Sequence, residues 1–131
     1  MILLDTDVLS VSLRDQSGPV AQRIRRVHPD ACYTSSITIG EILYGLERNP
    51  SHSACLRDVV ESDALNVLSF DREAARHYAR IRVALERVGT PLADPDPRIA
   101  AIALAHDLTL ITGNDKHFRR VPELKVENWL E

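Results

Sequence analysis

Residues 1–10 read MILLDTDVLS, an apolar run that ends on two aspartates, Asp5 and Asp7, with Thr6 between them. A short apolar run followed by polar, turn-forming residues reads as a buried strand that stops at a polar rim. Asp5 and Asp7 then stand at the carboxyl end of that strand, the edge at which open α/β sheets bind ligands. The same letters carry a plainer meaning, in which Asp5 or Thr6 caps a helix beginning near Val8. An isolated Asp-x-Asp does not separate the two, so the rest of the chain decides.

At 131 residues the chain is long enough to bury one core of its own, so residues 1–131 are read as a single domain. Hydrophobic residues at 44% and charged residues at 27% are ordinary for a globular protein. No stretch approaches the roughly 18 uninterrupted apolar residues of a membrane span. The amino terminus lacks the basic-then-apolar order of a secretory signal, which points to a cytoplasmic protein. Cys32 and Cys55 are far apart and show no Cys-x-x-Cys spacing, so neither a zinc site nor a disulfide framework is indicated. Cys32, inside the strand-like ACYTSS, reads as a small core residue. A net charge of −3 argues against a nucleic-acid binder only if the acids are dispersed; four of them gathered at one ion would leave +1 on the rest.

The apolar pattern alternates short runs with helical periods. MILLD is a strand, and short helices follow over Val8 to about Arg14 and Pro19 to about Val27, the second with Pro in its first turn. ACYTSS is a second strand. ITIGEILYGLER has helical period through Ile39, Leu43 and Leu46 and stops at Asn49-Pro50. A further helix covers about Ser51 to Glu61, and ALNVLSF is a third strand. Asp71 caps a long helix to Val88, closed by Gly89 with Pro91 beyond. PDPRIAAIALAHD is a helix with Pro in its start, LTLIT a fourth strand, and LKVENWL a last one after a short polar segment. Strands separated by helices imply a parallel sheet covered on both faces.

In that order, Asp5 follows strand one, Glu41 lies near the start of the helix after strand two, Asp96 begins the helix before strand four, and Asp115 follows strand four. A parallel sheet delivers all four toward one rim. Each has a plainer reading: Asp96 as a cap, Asp115 as a loop residue, and Glu41 as the partner of Thr38 in a capping box. Jointly these readings fare worse, because two carboxylates ~5 Å apart repel by roughly 3 kcal/mol at an effective dielectric near 20. A cation or bound protons must offset that repulsion. All-oxygen ligands select Mg2+ or Mn2+, and a carboxylate-held Mg2+ is suited to phosphate-ester hydrolysis. The sequence holds no nucleophilic Ser or Cys motif and no glycine-rich phosphate loop.

These residues resemble the PIN-domain ribonucleases, and more closely the VapC-type toxins of bacterial toxin–antitoxin pairs. LLDTDVLS is similar to the family's opening strand with its first acid at Asp5. SSITIGEILYGLER is similar to the second motif, with Glu41. GTPLADPDPRIAAIALAHDLTLITGNDKHF resembles the segment in which an Asp stands three residues before Ile-Ala-Ala, which selects Asp96 over Asp94. RRVPELKVENWLE resembles the Trp-containing end. The resemblance implies a three-layer α/β/α fold with a central, mainly parallel sheet. It implies an Mg2+-dependent endoribonuclease (Mn2+ as substitute) acting on tRNA or ribosomal RNA, with Asp5, Glu41, Asp96 and Asp115 as catalytic acids. Asp5 and Asp96 would hold the metal. It further implies a homodimer and a cognate VapB-type antitoxin whose C-terminal tail points an Arg or Lys at the acids.

Two positions depart from the family pattern. The fourth acid usually lies two residues after the Thr that ends strand four; here that residue is Asn114, and Asp115 is next. Asp94 stands beside the third acid and offers an extra ligand. The resemblance gives Asp7 a hydrogen-bonding role and gives Thr112 the task of orienting the acids. A PIN fold that has lost activity and serves as an RNA- or protein-binding scaffold stays open because of Asn114.

The five histidines, His28, His52, His77, His106 and His117, lack metal-ligand spacing. Lys116 and His117 stand close enough to the acids to touch substrate, or are surface residues. Arg72, Arg76 and Arg80 form a helical stripe read as a solvated face or as a phosphate track. Arg98, two residues past Asp96, is a candidate for gripping RNA. Leu43, Tyr44 and Leu46 fit a core or an interface. A haloacid-dehalogenase-type phosphatase wants Thr or Val where Leu9 stands, and a receiver module wants adjacent acids where Thr6 intervenes.

Overall fold

The computed structural model describes residues 1–50 and 54–131. Strand β1 spans Ile2–Leu4, followed by α1 (Thr6–Arg14), α2 (Pro19–Arg25), β2 (Cys32–Ser35), α3 (Ser36–Arg48), α4 (Ala54–Val60) and β3 (Val67–Leu68). Then come α5 (Arg72–Arg87), α6 (Asp96–Ala105), β4 (Thr109–Ile111), α7 (Asp115–Phe118) and β5 (Val126–Glu127). The sheet order is β3-β2-β1-β4-β5, and every pairing is parallel. The expected α/β/α architecture is therefore present, with the sheet wholly rather than mainly parallel.

The short strands split the core in two, because successive side chains point to opposite faces. Leu3 and Leu110 enter one cluster with α5, α6 and Phe118; Leu4 and Ile111 enter the other with α1, α2, α3 and Trp129. Helix α6 lies between the sheet and α5, so Ile99, Ala100, Ala101, Ile102 and Ala103 are all fully buried. Its alanines explain why the sequence there is apolar on every side. On the other face, the Arg23 guanidinium stacks 4.3 Å from the Trp129 ring and holds the chain's end against α2.

Element ends follow local chemistry. Asp71 caps α5 by accepting from the Ala74 N–H at 2.9 Å. At its other end Gly89, at φ +73°, lets Thr90 N–H reach Leu85 O and Gly89 N–H reach Glu86 O. That is the Schellman closure, which favours glycine.

Several expectations need adjustment. The third and last strands are two residues each, because both lie at sheet edges with one neighbour only. The short polar segment after strand four contains α7, a single turn too short to show a period. Helix α2 stops at Arg25 rather than near Val27. Cys32 is half-buried against the second cluster, and burial pushes its thiol pKa up. Helix α4 is present from Ala54, while the start expected at Ser51, and His52, lie outside the described residues. Among the described residues no helix is long and apolar enough to cross a membrane.

Leu110 is fully buried in β4, beside the central strand β1. Leu110→Ala is expected to destabilise the fold by about 3 kcal/mol, read as a lower urea midpoint.

Candidate active site

The chain winds outward from β1 to β2 and β3, then crosses back to β4 and β5, so the winding reverses between β1 and β4. A crevice opens at such a switch point, outside the carboxyl ends of the two strands. Asp5 follows β1 and Thr112 follows β4. The two ends are tied directly: Asp5 N–H donates to Ile111 O at 2.9 Å, and Thr112 Oγ1 donates to Asp5 Oδ2 at 2.8 Å. Asp5 Oδ1 accepts from the adjacent Thr6 N–H at 2.8 Å. Asp5 is thus the N-cap of α1, but it leaves the deeper N–H groups of that turn alone and spends its second oxygen on Thr112.

Glu41 sits in the second turn of α3 and does not fold back on Thr38. The cap of α3 is Ser35, whose Oγ accepts from Thr38 N–H at 3.0 Å, so the capping-box reading of Thr38 and Glu41 does not hold. Glu41 instead accepts from Thr6 Oγ1 at 2.5 Å, and Thr6 Oγ1 lies 3.1 Å from Thr38 Oγ1. The sequence offers Thr6 as a possible cap of α1, a task that Asp5 performs. The Thr6 hydroxyl is what ties α3 to α1 at the site, and only the fold places residue 41 beside it. Asp7 accepts from Val8 N–H at 2.7 Å and from Gly113 N–H at 2.9 Å. A Cβ at Gly113 would stand 2.4 Å from Leu130 Cδ1 and 2.8 Å from Asp7 Oδ2, so that close approach requires glycine.

Asp96 opens α6, half-buried, and no described residue hydrogen-bonds its carboxylate. Burial raises its pKa, and the charges of Glu41 and Asp7 raise it further, against an opposing pull from His117. Asp5 is buried, and its pKa is pushed up to about 6. Desolvation is the main cause; Asp7 and Asp96 add to it, while the Thr112 and Thr6 hydrogen bonds oppose it. Asp5, Asp7, Glu41 and Asp96 therefore share one field of uncompensated negative charge.

Asp94 and Asp115 are engaged elsewhere. Asp94 is exposed and pairs with Arg98 at 3.2 Å, and Arg98 also lies 4.8 Å from the Tyr78 ring and 5.4 Å from the Phe70 ring. Asp115 accepts from Asn128 Nδ2 at 2.9 Å and from Arg119 Nε at 3.1 Å, and these two contacts hold its pKa down. Neither carboxylate is among the groups that shift Asp5 or Asp96. Asn114 turns its side-chain amide to His117 Nδ1, 2.8 Å away, while its N–H donates to Thr112 Oγ1.

Among the described residues, no three His, Cys, Asp or Glu side chains are already closed on one point. Asp5 and Asp96 still suit a hard divalent cation: both are oxygen donors, burial and neighbouring acids raise the cost of charge on each, and no described residue hydrogen-bonds the Asp96 carboxylate. Magnesium commonly uses only one or two carboxylates and completes its shell with water.

Because Asp5 keeps its proton to about pH 6 in the fold and to about 4 when unfolded, the folded chain binds more protons in that window. Its stability falls as pH rises through it. In EDTA, Asp5→Asn is expected to exceed the parent in urea stability at pH 7.5, by on the order of 3 kcal/mol. The difference should close as pH falls to 4.

Residues 2–124 match the PIN domain family. The tRNA(fMet)-specific endonuclease VapC of Salmonella typhimurium is 33% identical over 97% of this chain and 96% of its own. Ribonuclease VapC2 of Haemophilus influenzae is 29% identical over 98% and 97%. Among solved structures, VapBC2 from Rickettsia felis, bound to a DNA fragment from its promoter, superposes with a TM-score of 0.87 at 26% identity, covering 98% of this chain and 99% of that one. DNA-bound VapBC from Salmonella typhimurium gives 0.84 at 32% identity, with the same coverage. With a whole-chain match in sequence and fold, and an acidic crevice at the switch point of its sheet, this chain belongs to the PIN-domain family, among its VapC ribonucleases.

Proposed function

We propose that this VapC chain is a divalent-metal-dependent endoribonuclease toxin that cuts tRNA, with Asp5 and Asp96 holding Mg2+ (or Mn2+ in its place) and Glu41 serving as base. The observation that carries this reading is the pair of carboxylates, Asp5 and Asp96, each pushed up by burial and by neighbouring acids (Asp7 and Asp96 at Asp5, Glu41 and Asp7 at Asp96), with no basic side chain among the described residues in an ion pair with either. A bound Mg2+ supplies acidity to an attacking water and neutralises charge on the phosphoryl oxygens. Thr112 and the Thr6 N–H hold the Asp5 carboxylate in one orientation. Thr6 Oγ1 holds one Glu41 oxygen and leaves the other to take the proton of the water that attacks phosphorus. Looped RNA suits the crevice, because an unpaired strand can be splayed into it. The choice of tRNA follows the Salmonella relative.

The partner we assign is a VapB-type antitoxin, as in the VapBC complexes of the structural relatives. A groove of about 710 Å³, bounded in part by Thr6, Ser10, Glu41, Ile42, Gly45 and Leu56, opens beside Glu41. A tail lying there could bring a basic side chain to the acids and stop an otherwise harmful nuclease. The toxin is read as a homodimer in the cytoplasm, with residues 1–131 as one domain.

Purified protein should cleave RNA in Mg2+ and stop in excess EDTA. With water as nucleophile, the products carry 5′-phosphate and 3′-hydroxyl ends, readable by end-specific ligation. Asp96→Asn should lose cleavage at least 100-fold. Persistent cleavage in EDTA, or 2′,3′-cyclic phosphate ends, would refute the mechanism.

A further inference from the structure

Helix α7 carries two polar side chains that the site could use, and the structure gives them different work. Phe118, fully buried in the first core cluster, fixes how the single turn sits on the sheet. Asp115 then has both carboxylate oxygens engaged: one accepts from Asn128 Nδ2 and the other from Arg119 Nε. Asn128 extends this latch, since its Nδ2 also reaches Gly113 O at 3.3 Å and its Oδ1 accepts from Leu130 N–H at 2.8 Å. His117 is exposed, and its Nδ1 meets Asn114 Nδ2 at 2.8 Å.

Where the Asn114 amide donates to Nδ1, the ring carries its proton on Nε2. Nε2 is then a donor, and no described residue takes it. We propose that His117 is the side chain α7 contributes to the reaction centre, donating from Nε2–H to a phosphate oxygen of the RNA backbone beside Asp96, while Asp115 serves as the latch that holds the helix. The assignment rests on the ribonuclease reading above and adds a substrate contact to it. Proximity agrees with the geometry: His117 lies near enough to Asp96 to oppose the rise in its pKa, and Asp115 is not among the groups that shift it. A phosphodiester entering a crevice of carboxylates meets repulsion, and a directed N–H donor at its edge offsets part of that.

The test compares the parent, His117→Ala, His117→Gln and Asp115→Ala. Cleavage of a labelled tRNA is followed in Mg2+, and binding of a fluorescent single-stranded RNA by anisotropy in Ca2+. The Mg2+-induced rise in Tm is measured alongside. His117→Ala is expected to lower kcat/KM about 100-fold and weaken RNA binding about tenfold, with the Mg2+-induced rise in Tm kept. His117→Gln, whose amide offers an N–H, should recover part of both losses. Asp115→Ala should show its main loss in Tm. Parental cleavage and binding in His117→Ala would overturn the proposal. So would loss of its Mg2+-induced stabilisation, which would make the histidine a metal residue. A parent that binds RNA without cleaving it would count against the enzymatic reading alone, and the anisotropy comparison would still decide His117.

Discussion

The hydrogen bond from Thr112 Oγ1 to Asp5 Oδ2 joins residues 107 positions apart and is where sheet and site become one object. It closes the crevice between the two strands at which the winding direction reverses, beside the backbone bond from Asp5 N–H to Ile111 O. Thr112 is fully buried, and its oxygen also accepts from Asn114 N–H, so the hydroxyl both donates and accepts. Buried hydroxyls that both donate and accept have one orientation, and they pass that order to the carboxylate they serve.

Electrostatics explain why so much scaffolding surrounds so few acids. Desolvation and neighbouring carboxylates both raise the pKa of Asp5 and of Asp96, and among the described residues no arginine or lysine pairs with either. A site selected for stability alone would pair these charges, as Asp115 is paired with Arg119 and Asp94 with Arg98. The chain therefore holds a strained group of charges against its own stability, as functional sites do. The surrounding threonines and backbone N–H groups limit that cost without neutralising the acids.

The C-terminal segment supports this arrangement from behind. Glu127 O accepts from Thr112 N–H, Asn128 holds the Gly113 carbonyl and Asp115, and Leu130 lies against Gly113. Trp129 secures the segment by burial in the second cluster under Arg23. The loop 112–115 that faces the acids is thus fixed at both ends, by β4 before it and by the C-terminal strand beside it.

Local pattern was sufficient for the element order apart from the single turn α7, for the parallel sheet and for the acids that follow its strands, because period, caps and strand ends are written in neighbouring residues. The cap at Asp71, the closure at Gly89 and the placement of Asp5 at a strand end all belong to this class. Partners distant in sequence were not legible. Thr38 and Glu41 have the spacing of a capping box, yet Glu41 turns to Thr6, because packing α3 against α1 offers it a closer donor than its own helix. Asp115 is an acid at nearly the expected place, yet Asn128 and Arg119 hold it. Arg98 stands two residues from Asp96, yet Asp94, Tyr78 and Phe70 surround it. Sequence determined which chemistry was available at the rim. The tertiary structure decided which side chains remain free to use it, because a carboxylate's or a cation's freedom depends on what long-range packing sets within hydrogen-bonding reach.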